Sequence, residues 1–283
     1  MKHLIFGATG TIGARVTERL VSRGERPSIF ARDAKKARAL FGDRVDIRVG
    51  DLEKPGASLA AVLKGIDEVF LVTDGPDLAL RDRAVALAAK AAGVRHVVKL
   101  STLDVHTGVG TGTWHARGEL AVRESGIAFT FVQAAGFMSN ALGWAHSIRE
   151  RGVLRTSTGQ GKIAFIHPDD IADVATAALL TRDYDNEALV VTGPLALSYG
   201  DMAESIGRVI GKRVRHEEIS DQKAHAGVVR WAGKGPYADA IVDIWRAVRE
   251  GRLATVSDGV VRVLGRKATP FVQWAEENAD AFQ

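Results

Sequence analysis

The sequence predicts an α/β fold with a doubly wound, mainly parallel sheet and a smaller C-terminal α+β part. Short apolar segments alternate with segments of helical period over the first half of the chain. A glycine-rich turn follows the first apolar segment, and the alternation loosens after about residue 135. Because parallel strands need crossover helices on the faces of the sheet, this rhythm is typical of α/β folds. Right-handed crossovers then favour the doubly wound strand order.

The first half contains six predicted strands and five predicted helices in alternation. The strands are HLIF, RPSIFA, VDIRVG, DEVFLVT, RHVVKLS and IAFTFVQ. The helices cover residues 11–23, Ala34–Leu40, GASLAAVLKG, LALRDRAVALAAKAAG and ELAVRESG. Short runs rich in Val, Ile and Phe indicate buried strands, and the longer segments repeat their apolar residues at helical spacing.

The second half mixes helices with short strands. Helices are predicted over 139–150, 170–181, 200–210, 236–250 and 270–281, and strands at VLRTS, KIAFI, ALVVT and RVRHE. No linker rich in Pro, Gly or Ser separates the halves. We therefore expect residues 1–135 to form the nucleotide-binding core. Residues 136–283 should form a mixed, mainly substrate-binding part, some of whose segments return to the core, over the C-terminal edge of the sheet.

The composition excludes several classes of protein. The 283 residues include no cysteine, so disulfides, thiolate nucleophiles and cysteine metal sites are absent, which fits a reducing compartment. No apolar stretch reaches the roughly 18 residues of a membrane span, and the run after Met1 is too short for a signal peptide. A net charge of +4 without a long basic run is only a weak argument for a nucleic-acid partner. We expect a cytoplasmic monomer or homodimer that binds neither nucleic acid nor a membrane.

A glycine-rich loop, GATGTIG, joins the first strand to the first helix. Gly7, Gly10 and Gly13 let the backbone turn tightly and approach a pyrophosphate, at which the helix N-terminus directs its free N–H groups. Thr9 and Thr11 add hydroxyl donors. The spacing G-x-x-G-x-x-G differs from the usual G-x-G-x-x-G, yet its place at the start of a βαβ unit predicts a Rossmann dinucleotide site. The alternative is a glycine-rich turn without a ligand.

The end of the second strand, FARD, predicts which dinucleotide binds. An NAD site usually places a carboxylate here for the ribose 2′-OH, whereas this chain has Arg32, followed by Lys35 and Lys36. A guanidinium suits a 2′-phosphate in charge and in donor geometry, so we expect NADP(H) to be preferred over NAD(H). The alternative is that Arg32 is a solvated cation. Asp33 is the expected N-cap of the next helix.

Polar residues also follow the third, fourth and fifth strands. Asp51 either bonds the adenine amine or caps a helix near Lys54, and the two roles are compatible. Thr73 and Ser101 come at the ends of the fourth and fifth strands. We expect both to line the crevice where the strand order reverses.

The helix after the fifth strand lacks the usual proton-donating pair. A parallel-sheet NADPH protein of this size suggests a short-chain dehydrogenase/reductase, whose typical members carry Tyr-x-x-x-Lys on this helix. The chain has three tyrosines, Tyr184, Tyr199 and Tyr237. None lies near this helix, and none precedes a lysine by four residues.

The chain instead resembles the NmrA-like group of atypical short-chain proteins, which includes NADPH quinone reductases, triphenylmethane-dye reductases and NADP-sensing regulators. The resemblance covers nearly the whole chain, through GATGTIG, ARD, His115 with Glu119, GFMSN, GKIAFIHPDDIADVATAAL, VTGPLALSYGDMAESIGRVIG and LGRKATPFVQWAEENADAF. It implies that NADPH lies along Gly7–Gly13, Arg32, Lys36, Thr73 and Ser101, with substrate near His115 and residues 137–140. One departure is Gln133, where relatives often carry an arginine.

Three groups of candidate site residues result. The cofactor-binding candidates are Gly7, Thr9, Gly10, Thr11, Ile12, Gly13, Arg32, Lys36, Asp51, Leu52, Thr73 and Ser101. The substrate-binding candidates are Trp114, Phe137, Met138 and Trp144, for which core packing is the competing interpretation. His115 is the candidate catalytic residue, either as a general acid or as a helix-start histidine that bonds the backbone or packs on the nicotinamide.

HPDDIAD contains several possible metal ligands, but we interpret it as the capped start of a helix. Pro168 lies in the first turn of that helix, and Asp169 and Asp170 supply the negative charge that a helix N-terminus favours. No second set of histidines supports a metal site.

The sequence thus favours an NADPH-dependent oxidoreductase that passes a hydride to a planar conjugated acceptor such as a quinone. The alternative is a non-catalytic NADP(H) sensor of the NmrA type, which the missing Tyr-x-x-x-Lys pair supports. A nucleotide-sugar epimerase or carbonyl dehydrogenase ranks last, because it needs that pair.

Overall fold

The computed structural model describes residues 1–54 and 58–283, so Gly56 and Ala57 of the predicted helix GASLAAVLKG lie outside the described residues. The strands are β1 (His3–Phe6), β2 (Ser28–Ala31), β3 (Asp46–Val49), β4 (Glu68–Leu71), β5 (His96–Thr102), β6 (Ala128–Ala134), β7 (Val153–Thr156), β8 (Lys162–Ile163), β9 (Glu187–Val191), β10 (Leu197–Ser198) and β11 (Arg215–Glu218).

The helices alternate with these strands along the chain. They are α1 (Thr11–Ser22), α2 (Ala34–Phe41), α3 (Ser58–Leu63), α4 (Leu78–Ala91), α5 (Gly112–Glu124), α6 (Ala145–Arg151), α7 (Pro168–Leu180), α8 (Tyr199–Ile210), α9 (Asp221–Ala232), α10 (Pro236–Arg249), α11 (Gly259–Leu264) and α12 (Phe271–Glu277). Short 3-10 helices cover Leu103–His106, Met138–Trp144 and Ala279–Ala281. Among the described residues, no helix combines the length and the hydropathy that a membrane crossing requires.

A seven-stranded sheet has the order β3-β2-β1-β4-β5-β6-β9. The pairs β1–β2, β2–β3, β1–β4 and β4–β5 are all parallel. The chain builds outward from β1 to β3, returns to β4 on the other side of β1, and continues to β6. This reversal beside β1 is the switch point of a doubly wound sheet, so the predicted fold class is confirmed.

Two compact units divide the described chain. The first comprises residues 1–101, 114–133 and 171–189, and the second comprises residues 102–113, 134–170 and 190–283. The first unit contains most of the seven-stranded sheet and its own apolar core. Phe6 and Phe30, for example, pack against each other from neighbouring strands, with ring centroids 4.9 Å apart and ring planes tilted by 45°. The predicted boundary near residue 135 stays a prediction.

The second unit contains two small sheets and a separate core. β10 pairs with β8 in antiparallel orientation, and β11 pairs with β7 in parallel. Tyr199, Met202 and Phe165 are buried in the core of this unit. Helix α8 begins at a complete capping box, in which Ser198 and Asp201 each bond the other's backbone N–H.

Candidate active site

The glycine loop has the geometry of a phosphate cradle. Gly7 adopts φ +70°, a left-handed conformation that favours glycine, and its carbonyl accepts the Gly10 N–H at 3.0 Å. A Cβ on Gly13 would collide with the carbonyl of Gly7, so only glycine allows α1 to start this close to the turn. Gly10 is the N-cap of α1 and offers no capping side chain, which leaves the first N–H groups of the helix open to an anion.

The residues around this loop differ in exposure. Gly7, Gly10 and Thr11 are exposed, whereas Ile12 and Gly13 are buried and Thr9 is partly buried. The exposed members form one rim at the carboxyl end of β1. This arrangement of a tight turn, uncapped N–H groups and no side chains in the way fits the pyrophosphate of a dinucleotide.

Arg32 follows directly on β2, and its side chain is exposed, as is that of Lys36. Asp33 accepts the N–H groups of Lys35 and Lys36, at 2.8 and 3.0 Å, so its predicted role as the N-cap of α2 is confirmed. The exposed cations Arg32, Lys35 and Lys36 outnumber the single carboxylate of Asp33, so the carboxyl end of β2 carries a net positive charge. This charge fits a 2′-phosphate.

Asp51 follows β3 and caps a tight turn. Its Oδ1 accepts the N–H of Glu53 at 3.0 Å, and residues 52–54 form a turn and a bend rather than the start of a helix at Lys54. A Cβ on Gly50, just before this turn, would collide with the ring of Phe30. Leu52 is partly buried and packs on the first unit's core. A contact of Asp51 or Leu52 with the adenine stays a prediction.

Thr73 belongs to a buried ionic cluster at the carboxyl end of β4. Its hydroxyl donates to Asp82 Oδ1 at 2.6 Å, and Lys99 Nζ lies 2.9 Å from Asp82 Oδ2. Lys99 and Asp82 are both 0% exposed, so their charges compensate each other without water. A Cβ on Gly118 of α5 would collide with Asp82 Oδ2, so a glycine is required where the helix passes this carboxylate.

Ser101 belongs to a second buried cluster, which the next residue of α5, Glu119, joins. Its hydroxyl donates to Glu119 Oε1 at 2.6 Å. Gln133 Nε2 donates to the same carboxylate, at 2.8 Å from Oε1 and 3.1 Å from Oε2. Three elements, β5, α5 and β6, therefore meet at Glu119.

His115 is partly buried on α5, and its Nδ1 is buried without a hydrogen-bond partner among the described residues. Burial, reinforced by the positive charge of Lys99, lowers the pKa of His115 to about 3. The imidazole is consequently neutral at physiological pH. A neutral imidazole is a hydrogen-bonding group and a very weak proton donor, which supports the second of the two roles considered for it.

The substrate-binding candidates fall in both units. Trp114 lies on α5 in the first unit and is partly buried. Phe137, Met138 and Trp144 belong to the second, where Met138 is buried and Trp144 packs at 5.4 Å from the ring of Tyr199. Met138 also lines a small apolar pocket with Phe165. Packing within the second unit accounts for the burial of Met138 and for the ring contact of Trp144. Contact of all four candidates with a ligand stays a prediction.

The segment HPDDIAD forms the start of α7, as the sequence predicts. His167 Nδ1 accepts the N–H of Asp169 at 3.0 Å, and Asp169 and Asp170 lie in the first turn. Asp170 is buried and accepts from Arg266 at 2.6 Å and from the Thr269 N–H at 2.6 Å. Its carboxylate is thus engaged in structural contacts. Across residues 1–54 and 58–283, no group of three potential ligands is arranged to hold a metal.

Sequence reasoning did not identify Asp82, Lys99 and Gly118 as members of the site. A lysine within the apolar strand RHVVKLS was the available signal, because a buried strand accommodates a charge only beside a counter-ion. Its partner lies 17 positions earlier, on α4, and no local pattern connects the two.

Comparison with known proteins gives the family. A sequence model described as NAD(P)H-binding matches residues 7–182. The chain is 38% identical to an NAD(P)H azoreductase of Xenophilus azovorans, over 99% of this chain and 98% of the relative. It is 36% identical to a (4-alkanoyl-5-oxo-2,5-dihydrofuran-3-yl)methyl phosphate reductase of Streptomyces griseus, with the same coverage of 99% and 98%.

A solved structure agrees with these relatives. The NADPH complex of quinone oxidoreductase QOR2 from Escherichia coli superposes with a TM-score of 0.88 at 26% identity, over 97% of this chain and 99% of that chain. The matched family region contains the glycine loop, Arg32, both buried clusters and His115. The chain therefore belongs to the NAD(P)H-binding family, and its reductase relatives agree with the resemblance of its motifs to the NmrA-like short-chain dehydrogenases/reductases.

Proposed function

We propose that this NAD(P)H oxidoreductase transfers a hydride from NADPH to a planar conjugated acceptor, with a quinone as the representative substrate. The observation that carries the proposal is the pairing of an uncapped glycine cradle at β1 with the exposed cations of Arg32 and Lys36 beside it at β2. Such a pair serves a dinucleotide that carries a phosphate on its adenosine ribose.

The residues of the chain bind and orient this cofactor. The N–H groups at the start of α1 would hold the pyrophosphate, and Arg32 and Lys36 the 2′-phosphate. The nicotinamide half would then extend to the other side of β1, toward β4 and β5, where Thr73 and Ser101 lie. When bound, NADPH supplies a hydride, which is two electrons and one proton.

The acceptor class follows from the chemistry of α5. Reduction of an isolated ketone needs a strong proton donor, and α5 carries neither tyrosine nor lysine. His115 is neutral, so it cannot replace them at physiological pH. A quinone delocalises the charge that the hydride brings, and solvent can supply the proton. The relatives, named for activity on azo compounds, quinones and an unsaturated furanone, share this property of a conjugated acceptor.

The test is turnover by the purified protein with NADPH and a panel of quinones, azo dyes, triphenylmethane dyes and enals. Loss of the nicotinamide absorbance band, dependent on both protein and acceptor, is the expected result for at least one planar acceptor. The same protein in the presence of excess NADP⁺ serves as control, since product should compete with NADPH. Reduction of simple ketones but of no planar acceptor would contradict the proposal.

A second candidate function, an NADP(H) sensor, is favoured by one observation. The helix that carries the Tyr-x-x-x-Lys pair in typical relatives has neither residue here, and its His115 is neutral. A sensor would bind NADP(H) tightly and turn over no acceptor of the panel. Recovery of a partner protein whose binding depends on NADP⁺ or NADPH would then support the sensor in place of the enzyme.

A further inference from the structure

Glu119 is a buried carboxylate whose hydrogen-bond contacts are all with donors. It is 7% exposed, and it accepts from the Ser101 hydroxyl and twice from the Gln133 amide. An ionised carboxylate only accepts hydrogen bonds, whereas a protonated one must also donate. The three contacts match the acceptor-only pattern of an ionised carboxylate.

In the part of the chain that the structure describes, no cation pairs with this carboxylate within 4 Å. The ammonium of Lys99, the buried cation in this part of the first unit, is paired with Asp82 at 2.9 Å, so those two charges cancel. His115, one turn before Glu119, is neutral. The buried groups beside the carboxyl end of β5 thus sum to one negative charge.

The position of this charge relates it to the reacting half of the cofactor. Ser101 is the penultimate residue of β5, and Glu119 bonds directly to its hydroxyl. The glycine loop follows β1 and Arg32 follows β2, which places the phosphates on one side of the switch point. A dinucleotide bound across that point places its other end, the nicotinamide, toward β4 and β5.

We infer that Glu119 is an electrostatic group that favours the oxidised cofactor over the reduced one at this site. The inference rests on the proposed function, because it assumes that the nicotinamide lies toward β5. NADP⁺ carries a positive charge on its ring that NADPH lacks. A fixed negative charge in a site from which water is excluded stabilises this positive charge without reorganisation. It therefore also favours departure of the hydride.

The test compares the affinities of the ligand-free protein for NADP⁺ and NADPH. Titrations by calorimetry and by NADPH fluorescence give the ratio of the two Kd values for wild type, E119Q, E119D and E124Q. We expect E119Q to raise Kd(NADP⁺)/Kd(NADPH) about tenfold, which equals a rise of about 30 mV in the potential of the bound couple. E119D keeps the charge. E124Q removes an exposed charge from the same helix. Both should stay within about twofold of wild type.

Gln133→Arg provides an independent variant in case E119Q does not fold. It keeps Glu119 but brings a cation to the same carboxylate, so the ratio should rise in the same direction. If E119Q folds and its ratio Kd(NADP⁺)/Kd(NADPH) equals that of wild type, the inference is overturned. If E119Q does not fold, an unchanged ratio in Gln133→Arg overturns it. The proposed function still holds in that case, provided that the wild type binds both cofactor forms and reduces a quinone. A wild type that binds neither form removes both.

Discussion

The proposed preference for NADPH over NADH rests on Arg32. We expect Arg32→Asp to raise the Kd of NADPH at least tenfold while changing that of NADH less than threefold, since only NADPH presents a 2′-phosphate to the guanidinium. Arg26→Asp is a matched control, because Arg26 is an exposed arginine just before the other end of β2. Calorimetric titration of both cofactors measures the effect. Equal weakening of NADPH and NADH would refute the phosphate contact.

His115 gives a prediction about pH. Its pKa is lowered to about 3, because burial and the charge of Lys99 disfavour the imidazolium. The imidazole therefore stays neutral between pH 5 and pH 8, and it should contribute no inflection near pH 6.5 to the profile of kcat. Profiles of wild type and His115→Gln with one quinone measure this. An inflection near pH 6.5 that is present in wild type and lost in the variant would show that His115 titrates as an acid.

The site could be predicted from sequence only where its determinants are local. The glycine loop and Arg32 are read from a few neighbouring residues, because one turn and one strand end position them. The contact of Ser101 with Glu119 and Gln133 joins β5, α5 and β6, and only the packing of three elements brings these side chains together. A single sequence does not show which side chains on different strands and helices contact each other.

Helix α5 depends on one close approach to α4. A Cβ at position 118 would collide with the Asp82 carboxylate, which is fully buried and paired with Lys99. We expect Gly118→Ala to lower the free energy of unfolding by about 1–3 kcal/mol, since either the helix or the ion pair must shift.

Gly227→Ala is the control. It lies within α9, where the added Cβ meets only the Arg230 side chain at 3.6 Å, and should raise stability by up to about 1 kcal/mol. Urea unfolding of both variants measures these changes. A neutral Gly118→Ala would show that the carboxylate has room to move.

The elements of the first half were predicted more completely than those of the second. A strand such as β1 is a continuous apolar run, so it can be predicted without knowing which strands lie beside it. Helix α9 was not predicted, because its interior includes Gly227 and its Trp231 is exposed, which makes its apolar pattern weak. Helix α11 was not predicted either, because six residues are too few to show a helical period. Helix α5 begins at Gly112, seven residues before the predicted start, because its first turns are polar.

The pH dependence of stability is a property of the whole chain. Burial lowers the pKa values of His3, His115 and His216, so each is neutral in the folded state at a pH where the unfolded chain binds a proton. Unfolded histidine titrates near 6.5, and stability is lost as the pH falls through that value. Asp104 acts in the opposite direction. Burial raises its pKa to about 6, so the folded state takes up a proton before the unfolded chain does.

The histidines outnumber this carboxyl, so we expect the free energy of unfolding to fall by on the order of 2 kcal/mol between pH 7 and pH 5. His3→Gln and His216→Gln should each make this dependence shallower, because each removes a group that the unfolded state protonates. Asp104→Asn should make it steeper, since it removes the opposing proton uptake by the folded state. Its stability at pH 7 should also exceed that of wild type, because an amide carries no buried charge. Urea unfolding at pH 5, 6 and 7 measures all four proteins. A steeper dependence in either histidine variant, or a shallower one in Asp104→Asn, would contradict the assigned signs.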